Sequence, residues 1–239
     1  MMDASFIQEV VKLAAPTLLD VDGKKYSNQS LKLIEHDPRP DTLAVSTLTA
    51  INDFFEHNLD LVKRDQVLLH VESHKSVAIL GPAKEPSLKR TVFLRTTTEE
   101  GAFQFGKWMD PETFIINLQV EFSETGDLAK ILQVVGNIKD EKVVNHSDDG
   151  VSQTVQTKVG VHLGENSPIP NPVKLRPWRT FREIEQPEST FIFRARGGGD
   201  GQPPSFALFT AGGGLWKLNA IASIVEWCRE QVKDVATIA

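Results

Sequence analysis

Several groups of side chains in this 239-residue sequence have types and spacings that chemistry uses. His70, Glu72 and His74 alternate, so on one strand they would face one side, roughly 7 Å apart in succession. Imidazole and carboxylate are zinc ligands, which makes a metal-dependent hydrolase one candidate. Zinc proteases, however, set two histidines four apart on a helix with a glutamate beside the first, and a polar stripe explains the same three residues. His146, Asp148 and Asp149 combine an imidazole with two carboxylates, but Asp-Asp-Gly is also ordinary turn chemistry. The runs Gly197 to Gly199 and Gly212 to Gly214 lack the spacing and the Lys-Ser/Thr of a phosphate-binding loop. Cys228 falls on an apolar helical stripe, where a thiol acts as a small hydrophobe. No nucleophile elbow is present, and no cofactor is expected.

The densest concentration of recognition chemistry is "NPVKLRPWRTFREIEQP", residues 171 to 187. Lys174, Arg176, Arg179 and Arg182, joined by Arg194 and Arg196 on a following strand, would track a phosphate backbone while Trp178 stacks on a base. Against that, Glu183, Glu185 and Glu188 neutralise arginines locally. Pro170, Pro172 and Pro177 argue against a regular central strand.

A net charge of −6 opposes a broad basic face for duplex DNA. One cysteine cannot form an intramolecular disulfide, which suits a reducing cytoplasm. "MMDASFIQEVVKLAAPTLLD" lacks a basic region followed by an unbroken apolar core, and no window has the roughly 18 continuous apolar residues of a membrane span. Neither a signal peptide nor a membrane segment is expected.

The elements that must position these groups read as α+β. Phe6, Ile7, Val10, Val11 and Ala14 recur at helical spacing behind Asp3 as a cap, and Asp22-Gly23 marks a turn. Leu48, Ile51, Phe54 and Phe55 form the apolar face of a second helix capped by Ser46 or Thr47. Residues 66 to 98 read as consecutive antiparallel strands. Asp110-Pro111 and Asp127 start two further helices. Segments "EKVVNHS" and "VSQTVQTKVGVHL" flank Asp148-Asp149-Gly150 as a hairpin. Phe191, Phe193 and Ala195 share one strand face, and Leu218, Ile221, Ile224, Val225 and Cys228 line a C-terminal helix. These predict a single α+β domain over 1–239, an antiparallel β-sheet with N-terminal and C-terminal helices among several, and a helical subregion over 1–60.

The order of "LKLIEHDPRPDTLAVSTLTAINDFFEHN", "DDGVSQTVQTKVGV", "ENSPIPNPVKLRPWRTFREIEQPESTFIFRAR" and "PPSFALFTAGGGLWKLNAI" resembles the phage and prophage family typified by YfdQ. The resemblance implies an accessory gene product in the cytoplasm of the infected bacterial host, and it brings no catalytic residues with it. The leading expectation is a non-enzymatic protein that self-associates into a homo-oligomer, with Phe191, Phe193, Phe206 and Phe209 partly at subunit contacts. Trp178, Arg179 and Arg182 are interface candidates. The alternative is binding of single-stranded nucleic acid or a nucleotide through the same basic residues.

Overall fold

The computed structural model describes residues 4–29, 40–85, 88–139, 144–148, 153–159, 162–163, 168–169, 171–197 and 203–239. Chain contacts divide into two units, Met1–Arg39 and Pro40–Ala239, where the sequence suggested one domain.

In the first unit, helix α1 (Ala4–Ala14) precedes strands β1 (Leu18–Val21) and β2 (Lys24–Ser27). The two strands pair antiparallel with Val21 opposite Lys24, so Asp22-Gly23 is the whole turn. Both turn residues have positive φ, 54° and 74°, the conformation a two-residue hairpin asks for and that Asp-Gly supplies at low cost. Asp3, the expected cap, lies outside the described residues. All of residues 4–29 are exposed.

The second unit holds β3 (Leu43–Val45), α2 (Thr49–His57), a 3-10 turn (Arg64–Gln66), β4 (Leu68–Ser73), β5 (Ser76–Lys84) and β6 (Lys89–Thr97). There follow α3 (Pro111–Glu121), β7 (Phe122–Ser123), α4 (Gly126–Lys139), β8 (Val144–Asp148), β9 (Gln153–Val159), β10 (His162–Leu163) and β11 (Pro168–Ile169). The last elements are β12 (Val173–Pro177), β13 (Ser189–Arg196), β14 (Ser205–Thr210), α5 (Leu215–Gln231) and β15 (Ala236–Ile238). The fold is α+β, as expected.

A five-stranded sheet runs β15-β4-β5-β6-β3. Its middle strands are antiparallel, but β3 and β15 join the edges in parallel, so the sheet is mixed. Leu69, Val71, Val77, Ile79 and Leu94 on this sheet pack against Ile51 and Phe55 of α2 and Ile224 and Cys228 of α5. An antiparallel sheet, β14-β13-β12-β7, carries a second core. There Phe191, Phe193, Phe206 and Leu208 meet Phe114 and Leu118 of α3 and Ile131 and Val135 of α4. A third sheet, β10-β9-β11 with β8 also on β9, contains the expected hairpin; Asp149 and Gly150 of its turn lie outside the described residues.

Several expectations need correction. Phe191, Phe193 and Phe206 are fully buried in their own chain's core, which removes them from any subunit contact, and Phe209 alone of the four is exposed. Strand β12 is internal, between β13 and β7, despite its prolines. Pro172 precedes the strand and Pro177 is its last residue, so Val173 to Leu175 carry the ladder with β13 and the missing donors fall at the ends. Leu218 is exposed, and Ala220 takes its place on the buried stripe of α5.

Helix starts divide in the same way. Asp110 caps α3 as expected, its Oδ1 accepting from the backbone N–H of Glu112 and Thr113 at 3.1 and 3.0 Å. For α4 the Thr125 hydroxyl accepts from Leu128 N–H, while Asp127, the expected cap, accepts from Lys174 N–H of β12 at 3.0 Å. Neither Ser46 nor Thr47 caps α2. Glu183, far along the chain, accepts from Leu48 N–H at 2.6 Å and Thr49 N–H at 3.4 Å.

Candidate functional site: a basic-aromatic strap

The basic-aromatic segment straps the two cores of the second unit together. Val173 and Leu175 of β12 are buried in the antiparallel-sheet core, and Phe181 and Ile184, a few residues on, are buried in the core of the five-stranded sheet. One buried amide organises the crossing. Gln186 Oε1 accepts from Arg179 and Thr180 N–H at 3.0 and 3.3 Å, and its Nε2 donates to Phe181 O at 2.9 Å. Backbone groups that leave the ladder inside the protein are thereby satisfied. Gly101 donates its N–H to Trp178 O at 2.8 Å, and a Cβ there would come within 2.8 Å of that oxygen, so only glycine lets the two segments touch.

Arg179 lies at the centre of the strap, with 6% of its surface exposed. Its guanidinium sits 3.8 Å from the Trp216 ring centroid and 5.6 Å from that of Phe191. One Nη donates to the Ser189 hydroxyl, and Nε has no partner. Burial lowers its pKa to about 10, with Glu100 opposing the shift, so it stays charged at neutral pH. Beside it, His74 is buried, edge-on to Trp216 at 4.8 Å, and its Nε2 meets Glu100 Oε1 at 3.0 Å. Lys75 Nζ reaches the same oxygen at 2.9 Å. Thr180 adds a hydroxyl donor to His74 O.

Hydrogen bonds from His74 and Lys75 hold the Glu100 carboxyl below its ordinary value of 4.5. A carboxylate with a depressed folded pKa contributes stability that is present above its unfolded pKa and lost as pH falls through the folded one. The wild-type protein is therefore expected to lose stability as pH falls below about 4.5, its Glu100 value in the unfolded chain. Urea melts in steps down from neutral pH are expected to show a shallower acid decline for Glu100→Gln; identical slopes would remove Glu100 from the account.

The other candidates are engaged within the chain. Lys174 Nζ is 3.3 Å from Glu188, and Arg176 Nη1 pairs with Glu185, although Arg176 Nε is buried without a partner. Arg182 lies 5.0 Å over Trp178, and Arg196 lies 4.5 Å over Trp108 while donating to Ser205. Arg194, partly buried on β13, also has an interaction within the chain. Arg179, as an interface or nucleic-acid candidate, is corrected: a guanidinium walled in by Trp216 and Phe191 does not reach a partner's surface. One sequence signal could have found it. Val173, Leu175, Pro177, Arg179 and Phe181 keep a period of two, and all five are buried, so the strand alternation carries past Pro177 and turns Arg179 inward.

The three candidate metal ligands do not converge. The register of β4 slips between Val71 and Ser73, and His74 sits in the turn to β5 rather than on the strand. Glu72 binds Arg95 through both oxygens, at 3.1 and 2.9 Å. Burial raises its pKa, but the bonds from Arg95 and Ser76 outweigh that and leave it lowered. Among the described residues no group of three or more His, Cys, Asp or Glu is placed to hold a metal ion. Burial pushes the Cys228 thiol up to about 12, far from a nucleophile's range. Side chains of His146 and Asp148 lie outside what the structure describes, as do Gly198 and Gly199. Gly212 to Gly214 all have positive φ and lead into α5.

The chain matches no protein-family model, no curated protein and no solved structure.

What the geometry itself shows is a cross-link. Trp216 comes from α5, His74 from the β4–β5 turn, and Arg179 from the strap between β12 and β13, so one polar cluster joins elements of both sheets. Among the described residues no helix is long and apolar enough to cross a membrane.

Proposed function

We propose that this is a non-enzymatic phage or prophage protein that assembles with copies of itself through its N-terminal unit. The observation that carries the reading is the unit's exposure. Phe6, Ile7, Val10, Val11 and Leu13 of α1 are between 47% and 79% exposed, as are Leu18, Leu19, Val21 and Tyr26 of the hairpin at similar levels. A helix of 11 residues is shorter than the about 12–15 needed for even marginal stability in water. A two-stranded hairpin is no better on its own. Such a unit is stabilised when its apolar face is covered.

Charge favours a second copy as the cover. Glu9, Asp20 and Asp22 balance Lys12, Lys24 and Lys25 across the described residues of this unit, and Lys12 pairs with Glu9 at 3.6 Å. Identical copies meet there without net repulsion, although the whole chain is acidic. A lipid-seeking helix instead concentrates lysine and arginine on its polar face, and α1 has one lysine. Among the described residues both hairpin strands also keep an open edge, which a sister strand can pair. The sequence resemblance supplies the phage setting. The basic residues, stacked or ion-paired within the chain, favour self-association over nucleic acid.

Light scattering at micromolar concentration is expected to give an integer multiple of the chain mass. Ile7→Asp with Val11→Asp is expected to give monomer while thermal unfolding of the second unit is unchanged. A monomeric wild type, or a monomer that binds lipid vesicles through α1, overturns the proposal.

A further inference from the structure

We propose that the cavity beside Trp108 binds a neutral pyranose sugar. The cavity measures about 350 Å³ and is walled by Gln104, Lys107, Trp108, Asp110 and Asn117, among others. That is the small end of the range for small-molecule sites, about 300–1,000 Å³, and suits one or two sugar rings.

The backbone of the cavity loop is held before any ligand arrives. Gly106, at φ 78°, donates its N–H to Leu208 O at 2.7 Å, and Met109 and Phe206 exchange both backbone hydrogen bonds at 2.9 Å. The loop carrying Gln104 to Trp108 is therefore held to β14. Trp108 lines the cavity with the Arg196 guanidinium 4.5 Å over its ring and Phe209 edge-on at 6.2 Å. Arg196 is in turn held by Ser205 at 2.7 Å. Ordering that is already complete in the free protein is not charged against binding.

The chemistry of the walls selects the ligand. With Arg196 over one face of Trp108, the opposite indole face, partly negative, is the one that would pack on the slightly positive C–H bonds of a pyranose. Sugar hydroxyls both donate and accept, so a site for them needs both kinds of group. Gln104 and Lys107 side chains have no partner among the described residues, and they offer an amide and an ammonium. Asn117 commits its Nδ2 to Thr113 O at 2.9 Å, which leaves its Oδ1 to accept. Lys107 and Asp110 are the charged residues among the walls, one of each sign, so the lining carries no net charge. A phosphate-bearing ligand would meet that carboxylate, whereas a neutral polyol meets no opposing charge. The site shares no residue with the N-terminal unit, and its fate is independent of self-association.

The test is an NMR titration of the full chain that follows the indole N–H signals of Trp108, Trp178, Trp216 and Trp227, with Trp108 assigned from Trp108→Phe. The probes are glucose, galactose, mannose and N-acetylglucosamine, with adenosine monophosphate as a charged aromatic control. At least one sugar is expected to shift the Trp108 signal saturably, with a Kd of about a millimolar, while the other three signals stay in place. Gln104→Ala, at an exposed position, is expected to weaken that binding about fivefold. No saturable shift with any of the four sugars overturns the proposal, and so does a Trp108 response to the nucleotide in preference to them.

Discussion

Replacing Arg179 with alanine is expected to cost the fold about 3 kcal/mol, mostly through the space left between Trp216 and Phe191, with urea melts as the measurement. The charge itself is a different matter. Its guanidinium is desolvated by burial, which lowers its pKa to about 10, and Nε makes no hydrogen bond. Against that cost stand the two aromatic faces and the field of Glu100. Buried charges of this kind are often replaced by an apolar side chain of similar volume with little loss. Arg179→Met is therefore expected within about 1.5 kcal/mol of wild type. If methionine is as damaging as alanine, the charge and not the volume holds the strap.

Phe181→Ala is expected to cost about 3–5 kcal/mol, the usual range for truncating a fully buried phenylalanine. Phe181 is the point at which the strap enters the core of the five-stranded sheet, and its surface is wholly covered. Both substitutions loosen one short segment tied by the Gln186 amide. The Arg179→Ala, Phe181→Ala double mutant is therefore expected to lose less than the sum of the two losses, by about 0.5 kcal/mol or more. Full additivity would mean that the two cores are anchored independently.

Local features were legible in the sequence, and features made by distant segments were not. Asp110-Pro111 and Asp22-Gly23 act on neighbours within three residues, so their side chains alone announce a helix start and a hairpin turn. The alternation of Phe191, Phe193 and Ala195 likewise gave the buried face of β13. Glu183 capping α2 has no local signature, because acceptor and donor are 135 residues apart. His74 was misplaced for another reason. The turn between β4 and β5 falls on His74 and Lys75, since Ser73 pairs with Ser76, and no Gly, Pro, Asn or Asp marks it, so the last member of an apparent ligand stripe is a turn residue bonded to Glu100. In the strap, arginines between prolines read as surface, but the period of two beneath them was the better guide. As for the candidate site, its residues were picked out by type, while their mutual engagement depends on contacts with β6, α5 and the loop at Gly101.

The cap on α2 also constrains the order in which the chain can fold. Helix α2 and strands β3 to β6 leave the ribosome early, but the carboxylate that completes the start of α2 belongs to Glu183. Strand β4 waits longer still for β15, whose Thr237 pairs with Leu69. Contacts of such long sequence separation form slowly, since the loop must close before any of them repays the lost entropy. Through most of its synthesis the five-stranded sheet has an unfilled edge and its first helix an open N-terminus, and both close only when the last segments of the unit arrive.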